Sequence, residues 1–142
     1  MTEHEHPALK RKLIDAHYVE VMLLSDEARS YFETDCIAER AMLGAQARIL
    51  FACEALKVST RLMHMSNWLL DARGRVGEDL PPMKRAKGTA PARILSLPAA
   101  AREIISASDA LYRRVQRLDA ALHHAPPPSP VRAMHAQIMA SL

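Results

Sequence analysis

Residues 59–82, STRLMHMSNWLLDARGRVGEDLPP, decide how the chain is read. Leu62, Met63, Met65, Trp68, Leu69 and Leu70 fall on more than one side of a 3.6-residue period, so a single buried stripe cannot hold them all. A helix this apolar needs neighbours on two sides. After Arg73 the pattern stops, and Gly74, Gly77, Pro81 and Pro82 among charged residues mark a connection rather than more helix.

Working back from this stretch, the same periodicity starts near Ile37 and predicts a helix over about Ile37 to Arg73. Met42, Ala45, Ile49, Ala52, Leu56, Ser59, Met63, Ser66 and Leu70 alternate steps of three and four, large residues alternating with Ala or Ser. Small residues at every second position let a neighbouring backbone approach closely. A second stripe, Phe51, Ala55, Val58, Leu62, Met65 and Leu69, runs beside it. This helix is the expected centre of an antiparallel bundle.

Two further helices flank it. The first is expected from about Ala8 to Phe32, with Leu13, Ala16, Val21, Leu24, Ala28 and Tyr31 on one side, ending at a turn around Glu33–Cys36. The third starts near Pro98, which suits a first turn because its missing N–H has no helical acceptor to lose. Leu97, Ala101, Ile104, Ser108, Leu111, Val115, Leu118 and Leu122 then form an unbroken stripe. Glycine is scarce elsewhere and no period-two alternation is present, so the fold class is all-α: an antiparallel three-helix bundle with a long central helix.

Residues 1–125 are assigned to the bundle, with a connection over about 74–96 that is long for such a fold. Its glycines, prolines and basic residues, Lys84, Arg85, Lys87 and Arg93 among them, predict a flexible loop. Residues 126–142 form a tail. A proline run ends the third helix, and Val131, Met134 and Ile138 then lie on one side of a short amphipathic segment that resembles a helix-in-groove ligand in outline.

Composition narrows the classes. At 142 residues with 49% hydrophobic and 25% charged residues, the chain suits one compact domain. Aromatics make up only 4%, so aliphatics, Ala and eight Met must fill the core. The net charge of +3 is uneven: residues 1–54 carry six Lys and Arg against ten Asp and Glu, and residues 55–142 carry thirteen against six. The basic half could meet an acidic partner or nucleic acid. No apolar run approaches a membrane span, and the start lacks the basic, then apolar, pattern of a signal peptide; a cytoplasmic protein is expected.

The chemistry of enzymes is hard to find in it. Cys36 and Cys53 lie too far apart along a helical stretch to bridge and read as free thiols, Cys53 buried and inert. Seven histidines include no pair at a recognisable metal-ligand spacing. The four glycines are scattered, and no phosphate loop exists. No catalytic, cofactor-binding or metal-ligating residue is assigned. Nucleic-acid binding through the basic loop and Arg113, Arg114 and Arg117 is the alternative, although the tyrosines are not interleaved with these cations and no recognition-helix pair is visible.

Thr60-Arg61-Leu62-Met63, Trp68-Leu69-Leu70, Gly77-Glu78, Leu97-Pro98, Ser108, Leu111-Tyr112, Arg114-Val115 and Arg117-Leu118-Asp119 together resemble the regulator of CtrA degradation family, RcdA, of alphaproteobacteria. The resemblance covers the second and third helices well and the first only by pattern; His64 and Gly74 depart from it. It implies a self-associating three-helix bundle without enzyme activity, an accessory adaptor of the ClpXP protease. Its implied partners are a second copy, ClpX and ClpP, a CpdR-like response regulator, and a substrate or second adaptor, so that regulators such as CtrA are destroyed at the right time and cell pole. Arg61, Trp68, Arg73, Arg75, Val131, Met134 and Ile138 are the candidate contact residues. One side of the central helix is expected to pack in its own bundle and another against a second copy.

Overall fold

A computed structural model describes residues 5–75, 79–123 and 130–141. Every regular element among them is helical. Helix α1 spans Glu5–Ser30 and runs on into one π-helical turn, Tyr31–Asp35; a short α2, Ile37–Ala41, follows. The long helix α3 spans Ala45–Gly74, a 3-10 turn covers Pro91–Ile94, α4 spans Ala99–His123 and α5 spans Pro130–Ala140.

The expected second helix is therefore two. Gly44 adopts an extended conformation, with φ −69° and ψ 169°, and resets the chain direction between α2 and α3. Arg48 secures the break: its Nε donates to Leu43 O at 3.0 Å and its Nη2 to Ala41 O at 2.8 Å, satisfying carbonyls that a helix end would otherwise leave open. Upstream, the π turn closes through Cys36 N donating to Tyr31 O at 2.9 Å. Cys36 is buried and Cys53 exposed, the reverse of the burial expected for Cys53, because Cys53 faces away from the rest of the chain.

α1, α3 and α4 each touch the other two. Asp15, in the first half of α1, pairs with Arg73 at the end of α3 at 2.9 Å, whereas Phe51, near the start of α3, stacks on Tyr31 and Phe32 beyond the end of α1. Glu20 of α1 pairs with Arg114 of α4 at 2.9 Å. These ion pairs are half-exposed and add about 0–1 kcal/mol each; the packing comes from the core. Ile14, Val21, Leu24, Ala28, Val58, Met65, Leu69, Ala101, Ile105 and Val115 are buried within it. Leu13, expected there, is 41% exposed, and Ile14 takes the inward position.

The two stripes of α3 divide in an unexpected way. Phe51, Val58, Leu62, Met65 and Leu69 are buried as expected, but Ile49, Leu56, Met63 and Leu70 are between 50% and 69% exposed. The face that is buried in place of the Ile49–Leu70 stripe carries Glu54, Val58, Arg61, Met65, Trp68 and Ala72, also in steps of four and three. Its two charged residues make it read as a wet face, and its burial has a specific cause described below. On α4 the expected stripe is the observed one, with Ala101, Ile104, Ser108, Leu111, Val115 and Leu118 all buried.

Candidate functional site

The connection after α3 does not run loosely over the surface. Over residues 79–90 it has no regular structure, yet Met83, Thr89 and Ile94 are buried and its backbone is held by side chains of α3 and α4. Residues 79–95 form a strap. Trp68 Nε1 donates to Pro81 O at 3.0 Å, Met83 N donates to Asp119 at 3.1 Å, and Ala86 N donates to Tyr112 Oη at 2.7 Å. The Tyr112 hydroxyl in turn donates to Lys84 O at 3.0 Å.

Arg61 is the deepest of these holds, with no exposed surface at all. Its Nε donates to Lys87 O at 2.8 Å, one terminal nitrogen to Ser108 Oγ at 3.0 Å, and the other to Thr89 Oγ1. The Thr89 hydroxyl donates in turn to Glu54 at 2.6 Å, and Lys57 reaches the other Glu54 oxygen at 2.8 Å. Burying a guanidinium is tolerable only when its donors are met and its charge is compensated. Here the strap supplies part of the acceptor set, so the charge and the strap depend on each other.

The titrations follow. Burial lowers the Arg61 pKa, opposed by the nearby charges of Asp109 and Glu54. For Glu54 burial works against ionisation, but hydrogen bonds from Lys57 and Thr89, with the charges of Lys57 and Arg61, prevail and lower its pKa. Gly88 lets the strap pass close to this network, since a Cβ there would lie 3.2 Å from Asp109 Oδ1. Asp109 is itself buried and accepts from Arg113 at 2.6 Å.

His123 holds the near end. Its Nδ1 lies 2.8 Å from Asp119 O and its Nε2 contacts Leu80 O. Both ring nitrogens thus face carbonyl oxygens, which only the doubly protonated imidazolium can satisfy with two donors. Hydrogen bonding to Asp119 and Leu80 accordingly raises its pKa.

The seven nominated contact residues separate into three groups. Arg61 and Trp68 are buried and hold the strap, Trp68 also lining the groove beside it. Arg73 and Arg75 are half-exposed at the end of α3, Arg73 paired with Asp15 and lying 5.0 Å from the Tyr18 ring, Arg75 paired with Asp71 at 2.8 Å. Met134 and Ile138 are exposed on α5; Val131 is within that helix, but its side chain is outside the described set. The structure does not gather these residues into one site. Glu54, Thr89, Tyr112, Asp119 and His123 hold the strap and were not nominated.

Among the described residues, exposed apolar side chains stand on α1 (Leu9, Leu13, Val19 and Leu23), in a seven-residue repeat on α3 (Ile49, Leu56, Met63 and Leu70), and on α5 (Met134, Ile138 and Met139). A groove of about 410 Å³ lies between α3 and the strap, lined by Met63, His64, Asn67, Trp68, Asp71 and residues 81–84. Among the described residues no three His, Cys, Asp or Glu side chains come together as a metal-ion site, and no helix is long and apolar enough to cross a membrane.

An all-helical chain with a strapped connection and bare apolar helix faces is thus the class defined by the coordinates. Residues 5–142 match the model of the family described as "Protein of unknown function (DUF1465)", and the chain belongs to that family. No curated protein and no solved structure matches the chain.

Proposed function

We propose that α1, α3 and α4 form an antiparallel three-helix bundle that pairs with a second copy and acts as a non-enzymatic adaptor in ClpXP-dependent proteolysis. The observation that carries this reading is the bare stripe of α3. Ile49, Leu56, Met63 and Leu70 recur every seven residues with Ala52, Ser59 and Ser66 between them, and they stand in the open along most of a 30-residue helix. Such a seam matches another helix surface in period and in the small residues that permit close approach. A contiguous apolar strip on a small chain marks an association surface.

The partners are those implied by the resemblance to the RcdA family: ClpX with ClpP, a CpdR-like response regulator, and a substrate or second adaptor, with regulators such as CtrA as cargo. The site of action is the cytoplasm, with recruitment to the cell pole. Arg61, Trp68, Ser108, Tyr112 and Asp119, five of the residues that carry the resemblance, all hold the strap or its buried network. Adaptors act by raising effective concentration, which gains about 10²-fold or more for two linked weak contacts. α5 and the cations at the end of α3 are the assigned contact points.

The test is a reconstituted digest of purified CtrA by ClpX and ClpP with a phosphorylation-free CpdR-type receiver and the other adaptors present. Adding the intact chain is expected to accelerate turnover several-fold, and a Leu56→Glu chain is expected to lose that gain. Unchanged turnover on adding the intact chain would sink the reading. A nucleic-acid role is favoured by Lys84, Arg85 and Lys87 on the strap and by Arg113, Arg114 and Arg117 on α4, all exposed. Retention on duplex DNA that falls steeply with salt would favour it instead.

A further inference from the structure

The groove beside the strap shares only Met63 with the dimer seam. Trp68, Met83, Met63 on α3 and Pro81 and Pro82 on the strap line it around a volume of about 410 Å³. His64 on its wall has a buried Nδ1 with no hydrogen-bond partner in the structure.

α5 has the matching chemistry. Met134, Gln137 and Ile138 stand at helical spacings of three and four, on one side of the helix, and all are exposed. Two apolar side chains flank one amide, which can either donate to or accept from an imidazole nitrogen. The tether also fits. Only seven residue steps separate His123 from Pro130, a reach of at most about 25 Å, and His123 itself contacts the carbonyl of Leu80, beside Pro81 and Pro82.

We infer that the groove between α3 and the strap is the docking site of α5 from the same chain, with Met134 and Ile138 against Trp68 and Met83 and Gln137 on His64. Docking buries Met134 and Ile138, the face that the tail would offer to a partner. The tail then switches between a closed state on its own bundle and an open, partner-competent one. A tether this short holds α5 near the groove at an effective concentration of about millimolar, so even a weak contact keeps it filled.

This rests on the adaptor reading only for its regulatory consequence, since the docking is tested without any protease or cargo. A fluorescent peptide of residues 130–142 is titrated into three full-length chains: unaltered, Met134→Glu with Ile138→Glu, and that double variant with Asn67→Arg added. All these positions are exposed, so the fold is left alone. The double variant, its own tail disabled, is expected to bind the peptide at least about tenfold tighter than the unaltered chain, whose groove is occupied in cis. Adding Asn67→Arg is expected to remove that binding. Equal affinity for the unaltered and double-variant chains, binding that survives Asn67→Arg, or no binding to any chain overturns the assignment. A difference that grows with protein concentration gives the groove to the tail of a second copy and overturns docking in cis. Failure here leaves the digest experiment untouched, and failure of the digest leaves this one.

Discussion

Two faces of α3 invite comparison. One carries Glu54, Arg61 and Trp68, reads as amphipathic at best, and is wholly covered by the strap and α4. The other carries Ile49, Leu56, Met63 and Leu70, reads as the better seam, and is bare. The difference teaches that hydrophobicity along one helix does not rank its faces by burial. A polar face can be buried when the chain itself brings the acceptors, and an apolar face can stay open when its partner is another molecule.

The comparison breaks most readily at Arg61. Arg61→Met removes the cation that joins Lys87 O, Ser108 and Thr89 and leaves Glu54 buried with less compensation. A loss of about 3–5 kcal/mol is expected in urea unfolding. A change below about 1 kcal/mol would mean the network is not what holds the covered face together. Tyr112→Phe tests the same face more gently, leaving Ala86 N and Lys84 O without their partner. It should cost about 1–3 kcal/mol and speed amide hydrogen exchange over residues 83–87; unchanged exchange there would show that the strap is held by other means.

At the bare face the expected result is the opposite. Leu56→Glu should alter urea stability of the single chain by no more than about 0.5 kcal/mol, because it faces solvent. A loss as large as that of Arg61→Met would show that the stripe belongs to the chain's own core.

The smallest effect concerns His123. Its pKa is raised in the fold, so its contribution is fully present below the unfolded value of about 6.5 and is lost as pH rises through the higher folded value. Exchange of the strap amides near Leu80 should therefore quicken modestly between mildly acidic and alkaline pH beyond the intrinsic base-catalysed rate. His123→Gln should flatten that excess, and a flat excess in the unaltered chain would remove the histidine from the account.

Much of this was readable beforehand. The period of α4 gave Ala101, Ile104, Ser108, Leu111, Val115 and Leu118 as buried, but not Ile105, Asp109 and Tyr112 beside them. α3 misled for a physical reason: two charges placed on its buried face disguise it, and the acceptors that make them tolerable lie 26 to 47 residues away. No local pattern reports such distant pairing. The strap was equally hidden, since a run rich in Gly, Pro and Lys has the composition of a loose loop whether or not Trp68, Tyr112 and Asp119 hold its backbone. Met134 and Ile138 were legible as one side of a short helix, while their partner groove exists only once the strap is laid beside α3.

The central claim is that the bare stripe of α3 is the seam to a second copy, and its most direct measurement is the molar mass of the intact chain by sedimentation equilibrium beside Leu56→Glu. The account predicts twice 15.8 kDa for the intact chain at micromolar concentration and 15.8 kDa for the variant, with unchanged helix content. An intact chain of 15.8 kDa, or a variant that remains at twice that mass, would contradict it.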